Sequence, residues 1–247
     1  MSLRYSTAAV SSYSPCGIGP DLPLTIQEAN IVRTWYNWEG FQQFTSWENG
    51  DVWGSDFRDA AGGDLDPDGG TDVPDIYFFC GHGMCQNPPQ ATDPDFLLVC
   101  GNFGKPDIVN IGAECRWGNN NLKFMFIDAS CPMDLVSMAN NWIAPFQGLH
   151  MAVGHSGDGT HDALDSADRG GQFAVLTTGG IFWVPQESVG DAWMSAGIID
   201  IQPGCCAVAC AGGGTEFEAY DRVFTEKLSD NRPRPGIGWI AFRWICT

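Results

Sequence analysis

The sequence predicts an α/β sandwich of three layers built around a mainly parallel central sheet. Two observations carry most of that expectation. The runs IYFFC (76–80) and FMFID (124–128) are apolar without alternation, as strands buried on both faces of a parallel sheet must be. Between and after them come stretches whose apolar residues recur at helical spacing, so strands and helices alternate along the chain. The 247 residues, 44% of them hydrophobic, suffice for one domain spanning 1–247 with a sizeable core.

The elements follow in order. LTIQEANIVRTWYNW (24–38) has helical spacing, with Thr25 as N-cap and Glu28 three residues on. A long polar loop rich in Gly and Asp (50–75) leads into the strand DIYFFC (75–80). A second strand, LKFMFIDAS (122–130), precedes MDLVSMANNWIAPF, a helix by spacing. LHMAVG (149–154) is a third strand, and DSADRGGQFAVLTT and SVGDAWMSAGII are the next two helices. CCAVACAG and IGWIAFRWIC close the chain as strands, by their β-branched and aromatic content.

Charge and composition narrow the function classes. Thirty acidic against twelve basic residues give a net charge of -18, which repels nucleic acid and anionic lipid. Cationic peptides and metal ions suit that field. No window approaches 18 consecutive apolar residues, so a membrane span is not expected. The N-terminal stretch has no apolar core of signal-peptide length, and the expected location is cytoplasmic. Ten cysteines include no CxxC pair, and Cys205, Cys206 and Cys210 are expected as small buried side chains, a disulfide among them being the alternative.

Functional groups in parallel sheets gather at the carboxyl ends of the strands. The first apolar strand ends in Gly81-His82-Gly83 and the second in Ala129-Ser130-Cys131, 49 residues after the histidine. A cysteine and a histidine delivered to one sheet edge are the parts of a thiol nucleophile with its acid/base partner. The flanking glycines leave room for a substrate backbone, and the amides of Gly83 and Cys131 are candidate oxyanion donors. The bland alternative is a strand-end histidine bonded to backbone and an inert buried thiol.

IYFFCGHG and FMFIDASC together resemble the caspase-like cysteine peptidases: caspases, metacaspases, legumains, gingipains and clostripains. The resemblance covers roughly residues 70–155, about a third of the chain. It implies His82 as the catalytic histidine, Cys131 as the nucleophile and Gly83 as an oxyanion donor, acting on a peptide or protein substrate. The caspase pattern Gln-Ala-Cys-Arg-Gly is not kept: Ala129, Ser130, Cys131, Pro132 and Met133 stand there, and Pro132 has no amide hydrogen to donate. Caspase-type preference for aspartate is therefore not implied.

Two acidic loops offer further candidates. In DLDPDGGTDVPD, Asp64, Asp66, Asp68, Asp72 and Asp75 fall at the offsets of a calcium loop, although Pro67 and Pro74 interrupt it and a strand follows. Calcium there would stiffen the entry to the His82 strand; a solvated acidic turn is the alternative. GHSGDGTHDALDSAD follows the third strand, and its Asp158 and Asp162 are candidates to bind a basic substrate residue, as is Asp128 near the Cys131 turn. Ser156 fails the G-x-S-x-G elbow at its last position. A metal site using His155 and His161 would make the protein a metal-dependent hydrolase, and a caspase-like domain without activity is the other alternative. Trp193, at a helical position, is expected in the core.

Overall fold

The computed structural model describes residues 2–58, 70–84, 89–101, 106–157, 166–180, 184–200 and 204–246. A seven-stranded sheet runs through it. Its strands are β1 (Arg4–Ala9), β2 (Gln42–Glu48), β3 (Ile76–Cys80), β7 (Phe124–Asp128), β8 (Met151–Ser156), β9 (Cys206–Gly213) and β10 (Trp239–Cys246), in the spatial order β10-β9-β8-β7-β3-β1-β2. From β2 to β8 every pairing is parallel, whereas β9 runs antiparallel to both β8 and β10. A small antiparallel sheet, β4 (His82–Met84), β5 (Phe96–Val99) and β6 (Asp107–Asn110), branches off after β3.

The apolar runs are explained by two cores, one on each face of the sheet. Ile76 and Phe78 of β3 and Phe124 and Phe126 of β7 pack on one side, against the helices α1 (Thr25–Trp38), α4 (Ser166–Thr178), α5 (Val189–Asp200) and α6 (Glu216–Thr225). Tyr77, Phe79, Met125 and Ile127 point to the other side, into a layer made by the small sheet, two one-turn helices and the segments around Tyr13, Trp117 and Trp142. Each such side chain taken fully out of water contributes about 1.5–3 kcal/mol, so neither face can be left open. The three layers are thus helices, sheet, and a more irregular covering layer.

Several elements differ from the sequence expectations for local reasons. Thr25 is the first residue of α1 and not its cap; its hydroxyl donates to the carbonyls of Val10 and Leu22, and the helix starts without a side-chain cap. Glu28 likewise serves no capping box, since it is fully buried under the sheet. The expected helix after β7 shrinks to the single turn α3 (Met138–Asn141), the same length as α2 (Ile111–Glu114). Cys206 pairs with Cys246 across the β9–β10 ladder in a disulfide, while Cys205 and Cys210 are buried. Trp193 is in the core, donating its indole N–H to Gly154 O at 2.8 Å. Among the described residues, no helix is long and apolar enough to cross a membrane.

Candidate active site

Parallel pairing of β3 with β7, Cys80 opposite Asp128, brings the ends of these two strands side by side. The ladder continues one step past the strands, with the Gly81 amide donating to Asp128 O at 3.1 Å. Beyond that point the chain turns on both strands, to His82 on one and Cys131 on the other. The glycines of the His82 turn are required by the protein's own packing. A Cβ on Gly83 would collide with the Ser130 carbonyl, and one on Gly81 would meet Tyr13 Oη and the Phe79 ring. The room expected for a substrate backbone at these two positions is therefore filled by Ser130, Tyr13 and Phe79.

His82 is half-buried and held on several sides. Its amide donates to Tyr13 Oη at 2.8 Å, and the Tyr13 hydroxyl donates in turn to Leu98 O at 3.0 Å. The two rings lie with centroids 4.5 Å apart. His82 Nε2 is 2.9 Å from the carbonyl oxygen of Pro20. A carbonyl only accepts, so Nε2 carries the hydrogen and the neutral ring keeps its lone pair on Nδ1. Tyr13 and Pro20 went unnoticed in the sequence, because their contacts join positions 62 to 69 residues apart with no motif between them.

Cys131 is held differently. It is buried, and its backbone has φ of 59°, a left-handed conformation that costs a residue with a Cβ about 1–2 kcal/mol. Its sulfur is in a disulfide, and the cysteine it joins is outside the described residues. The turn that follows is pinned: Trp142 Nε1 donates to Pro132 O at 3.0 Å, and the Met133 amide donates to His155 O at 3.1 Å. The same indole N–H lies 3.0 Å from Asp95 Oδ2, and Ser137 donates to the other oxygen of Asp95 at 2.8 Å. Burial pushes Asp95 up to about 7 despite these hydrogen bonds.

Under the strand ends lies a buried polar cluster. Asp128 is completely buried and accepts two hydrogen bonds from Arg169, Nε at 2.7 Å and Nη2 at 2.8 Å. His155 Nε2 stands 3.2 Å from Asp128 Oδ1, and burial lowers the His155 pKa against the raising effect of that carboxylate. Glu28 accepts from the Cys80 thiol at 2.9 Å; burial and the neighbouring Asp128 hold it well above the usual carboxylate range. Asp128, expected as a substrate-binding candidate, thus faces the helical core, where Arg169 occupies its carboxylate. His155 belongs to β8 and not to the loop beyond it, and it packs on Trp193 with centroids 4.9 Å apart, which removes it from a solvent-facing metal site.

The remaining candidates divide. Asp64, Asp66 and Asp68 lie outside the described residues, as do Asp158, His161 and Asp162. Asp72 accepts from the amides of Gly118 and Asn120, and burial raises its pKa to about 6. Asp75 accepts from the Arg4 amide at 2.9 Å and pairs with Lys123 at 3.1 Å. Both carboxylates therefore tie β1 and the 117–123 segment to the entry of β3, a structural role the calcium-loop offsets did not reveal. No cluster of three metal-ligating side chains occurs among the described residues.

A family model described as Domain of unknown function (DUF6345) matches residues 10–243. The chain belongs to this family. No curated protein and no solved structure matches it. The DUF6345 match begins at the end of β1 and runs into β10, so it takes in the Tyr13–Pro20 segment, both strand ends and the buried cluster.

Proposed function

We propose that this DUF6345 protein is a cysteine peptidase of caspase-like type, active when Cys131 is a free thiol. The observation that supports the reading is the parallel pairing of Cys80 with Asp128, because His82 follows two residues beyond the one and Cys131 three beyond the other, the histidine bonded to Pro20 O and the cysteine in a strained turn. His82 takes the Cys131 thiol proton on Nδ1, the thiolate attacks the scissile carbonyl carbon, and the C–N bond breaks to leave a thioester as His82 passes that proton to the leaving amine. Water then cleaves the thioester, releasing the acid and restoring the thiol. The amides of Gly83 and Cys131 are the candidate donors to the oxyanion. A basic residue in the substrate suits both the net charge of -18 and the acids Asp158 and Asp162. Calcium bound by Asp64, Asp66 and Asp68 remains part of the proposal, with Asp72 and Asp75 already engaged by the protein.

The disulfide at Cys131 favours a second reading, a caspase-like domain without activity whose cysteine is a structural crosslink. Together with the Cys16–Cys100 and Cys206–Cys246 bonds it also supports maturation in an oxidising compartment rather than the cytoplasm. The two readings separate on a positional peptide library screened with the reduced protein and with Cys131→Ala. Cleavage by the first and none by the second supports the peptidase; the same profile from both rejects it.

A further inference from the structure

The chain between β1 and α1 takes a longer path than the connection needs, and that path runs over His82. Its base is closed by the Leu22 amide donating to Ser11 O at 2.8 Å. Asn49 Oδ1 accepts from the amides of Ser11 and Ser12 at 2.8 and 3.0 Å. Asp21 Oδ1 accepts from the amides of Tyr13 and Ser14 at 2.7 and 2.8 Å. One covalent bond fastens this strap to the rest of the molecule: Cys16 joins Cys100, at the end of β5, two residues beyond the Leu98 that pairs with His82.

The strap touches the His82 ring at three points. Tyr13 lies against one side of it, and Tyr13 Oη fixes the height of the ring through the His82 amide. Gly19 lies so close that a Cβ there would come within 2.8 Å of His82 Cδ2. Pro20 O holds Nε2. Tyr13 is fully buried and spends its hydroxyl on both strands of the small sheet, the His82 amide on β4 and the Leu98 carbonyl on β5. A core tyrosine packed only for its ring has no need of that geometry.

We propose that the strap is the positioning device of His82, with Tyr13 as its positioning residue and the Cys16–Cys100 disulfide as its fastening. The inference rests on the peptidase reading only for its catalytic consequence; the control of the tautomer stands independently. Asp21 and Asn49 keep the strap folded when the disulfide is opened, but the Pro20 carbonyl is then no longer tied to β5 and slackens against Nε2. Two equivalents of a dithiol, one oxidised to its own disulfide for each bond reduced, free Cys131 and open Cys16–Cys100, and the histidine loosens as the Cys131 thiol is liberated.

The test uses the full chain labelled with nitrogen-15 at its histidines. In the oxidised wild type the His82 resonances belong to the Nε2–H tautomer, with Nδ1 shifted as an unprotonated nitrogen. Tyr13→Phe, and separately Cys16→Ser with Cys100→Ser, shift the two nitrogen resonances toward one another as the tautomers mix. Near-ultraviolet circular dichroism verifies that each variant is folded, and Tyr13→Phe alone decides the matter if the double variant does not fold. Wild-type shifts retained in a folded Tyr13→Phe protein overturn the proposal. Labelling of Cys131 by a peptidyl chloromethylketone, after reduction, then tests the catalytic consequence: Tyr13→Phe slows it relative to wild type. Tautomer mixing with no labelling even in wild type rejects the peptidase and leaves the strap's role standing. Mixing with undiminished labelling rejects the claim that the tautomer governs Cys131.

Discussion

His82 and Cys131 stand at the ends of adjacent parallel strands, but they are secured by opposite means. The histidine is half-exposed and held by polar contacts from outside the sheet, the Tyr13 hydroxyl and the Pro20 carbonyl. The cysteine is buried, strained and bonded through its sulfur, and the turn that carries it is braced from within by Trp142, Asp95 and the Asp128–Arg169 pair. The proposed acid/base group keeps one face toward solvent, whereas the proposed nucleophile is bonded through its sulfur. The difference teaches that sheet topology delivers the two groups, whereas their readiness is set by separate shells that can be perturbed one at a time.

The largest effect expected is on chemistry. Cys131→Ala removes the nucleophile, and peptide cleavage by the reduced protein falls by about 10⁴-fold or more, measured with the best library substrate. The next sharpens the contrast between the two shells. Arg169→Met leaves the Asp128 carboxylate buried without its cation and costs about 3–5 kcal/mol in urea unfolding. The tautomer of His82 is unaffected, because the groups that hold His82 are Tyr13 Oη and Pro20 O. Adding Asp128→Asn to that variant restores part of the loss, since the uncompensated charge is gone.

Smaller effects probe the Cys131 turn. Trp142→Phe keeps an aromatic ring but a smaller one, and it withdraws the N–H shared by Asp95 and Pro132, a loss that by itself costs about 1–3 kcal/mol. Exchange of the Met133 amide hydrogen, bonded to His155 O, quickens with it. Asp95 supplies the pH signature. Its folded pKa of about 7 lies above the ordinary 3.8, so the folded state binds the extra proton across that window. Stability from Asp95 is therefore full below about pH 4 and is lost as pH rises through 7, with a slope of at most about 1.4 kcal/mol per pH unit. Asp95→Asn flattens that part of the stability profile. Asp72, raised to about 6, contributes with the same sign and remains as the internal reference.

The parallel core of the fold was legible because β3, β7 and β8 are buried on both faces and are apolar up to the polar residues at the carboxyl ends of β7 and β8. β1, in RYSTAA, escaped notice since its side chains are small or polar, with Ser6 and Thr7 buried and Tyr5 donating to Asn37 at 2.8 Å. β2 escaped because it is an edge strand whose side chains are exposed or half-buried. Of the candidate site, the strand-end residues could be read from their spacing. What surrounds them could not: Tyr13, Pro20 and Trp142 act through single hydrogen bonds to distant backbone, and no local pattern records such a contact. Asp128 misled for the opposite reason. A carboxylate near the end of a strand points to either face depending on register, and here the alternation along β7 turns it toward Arg169.

The most direct test of the account is alkylation of Cys131 by a peptidyl chloromethylketone, mapped by mass spectrometry before and after reduction, in wild type and in His82→Ala. The account predicts no adduct on the oxidised protein and, after reduction, an adduct on Cys131 well ahead of the buried thiols Cys80, Cys115, Cys205 and Cys210, slowed in His82→Ala. Reduced protein in which Cys131 is labelled no faster than those four, or equally fast without His82, contradicts it.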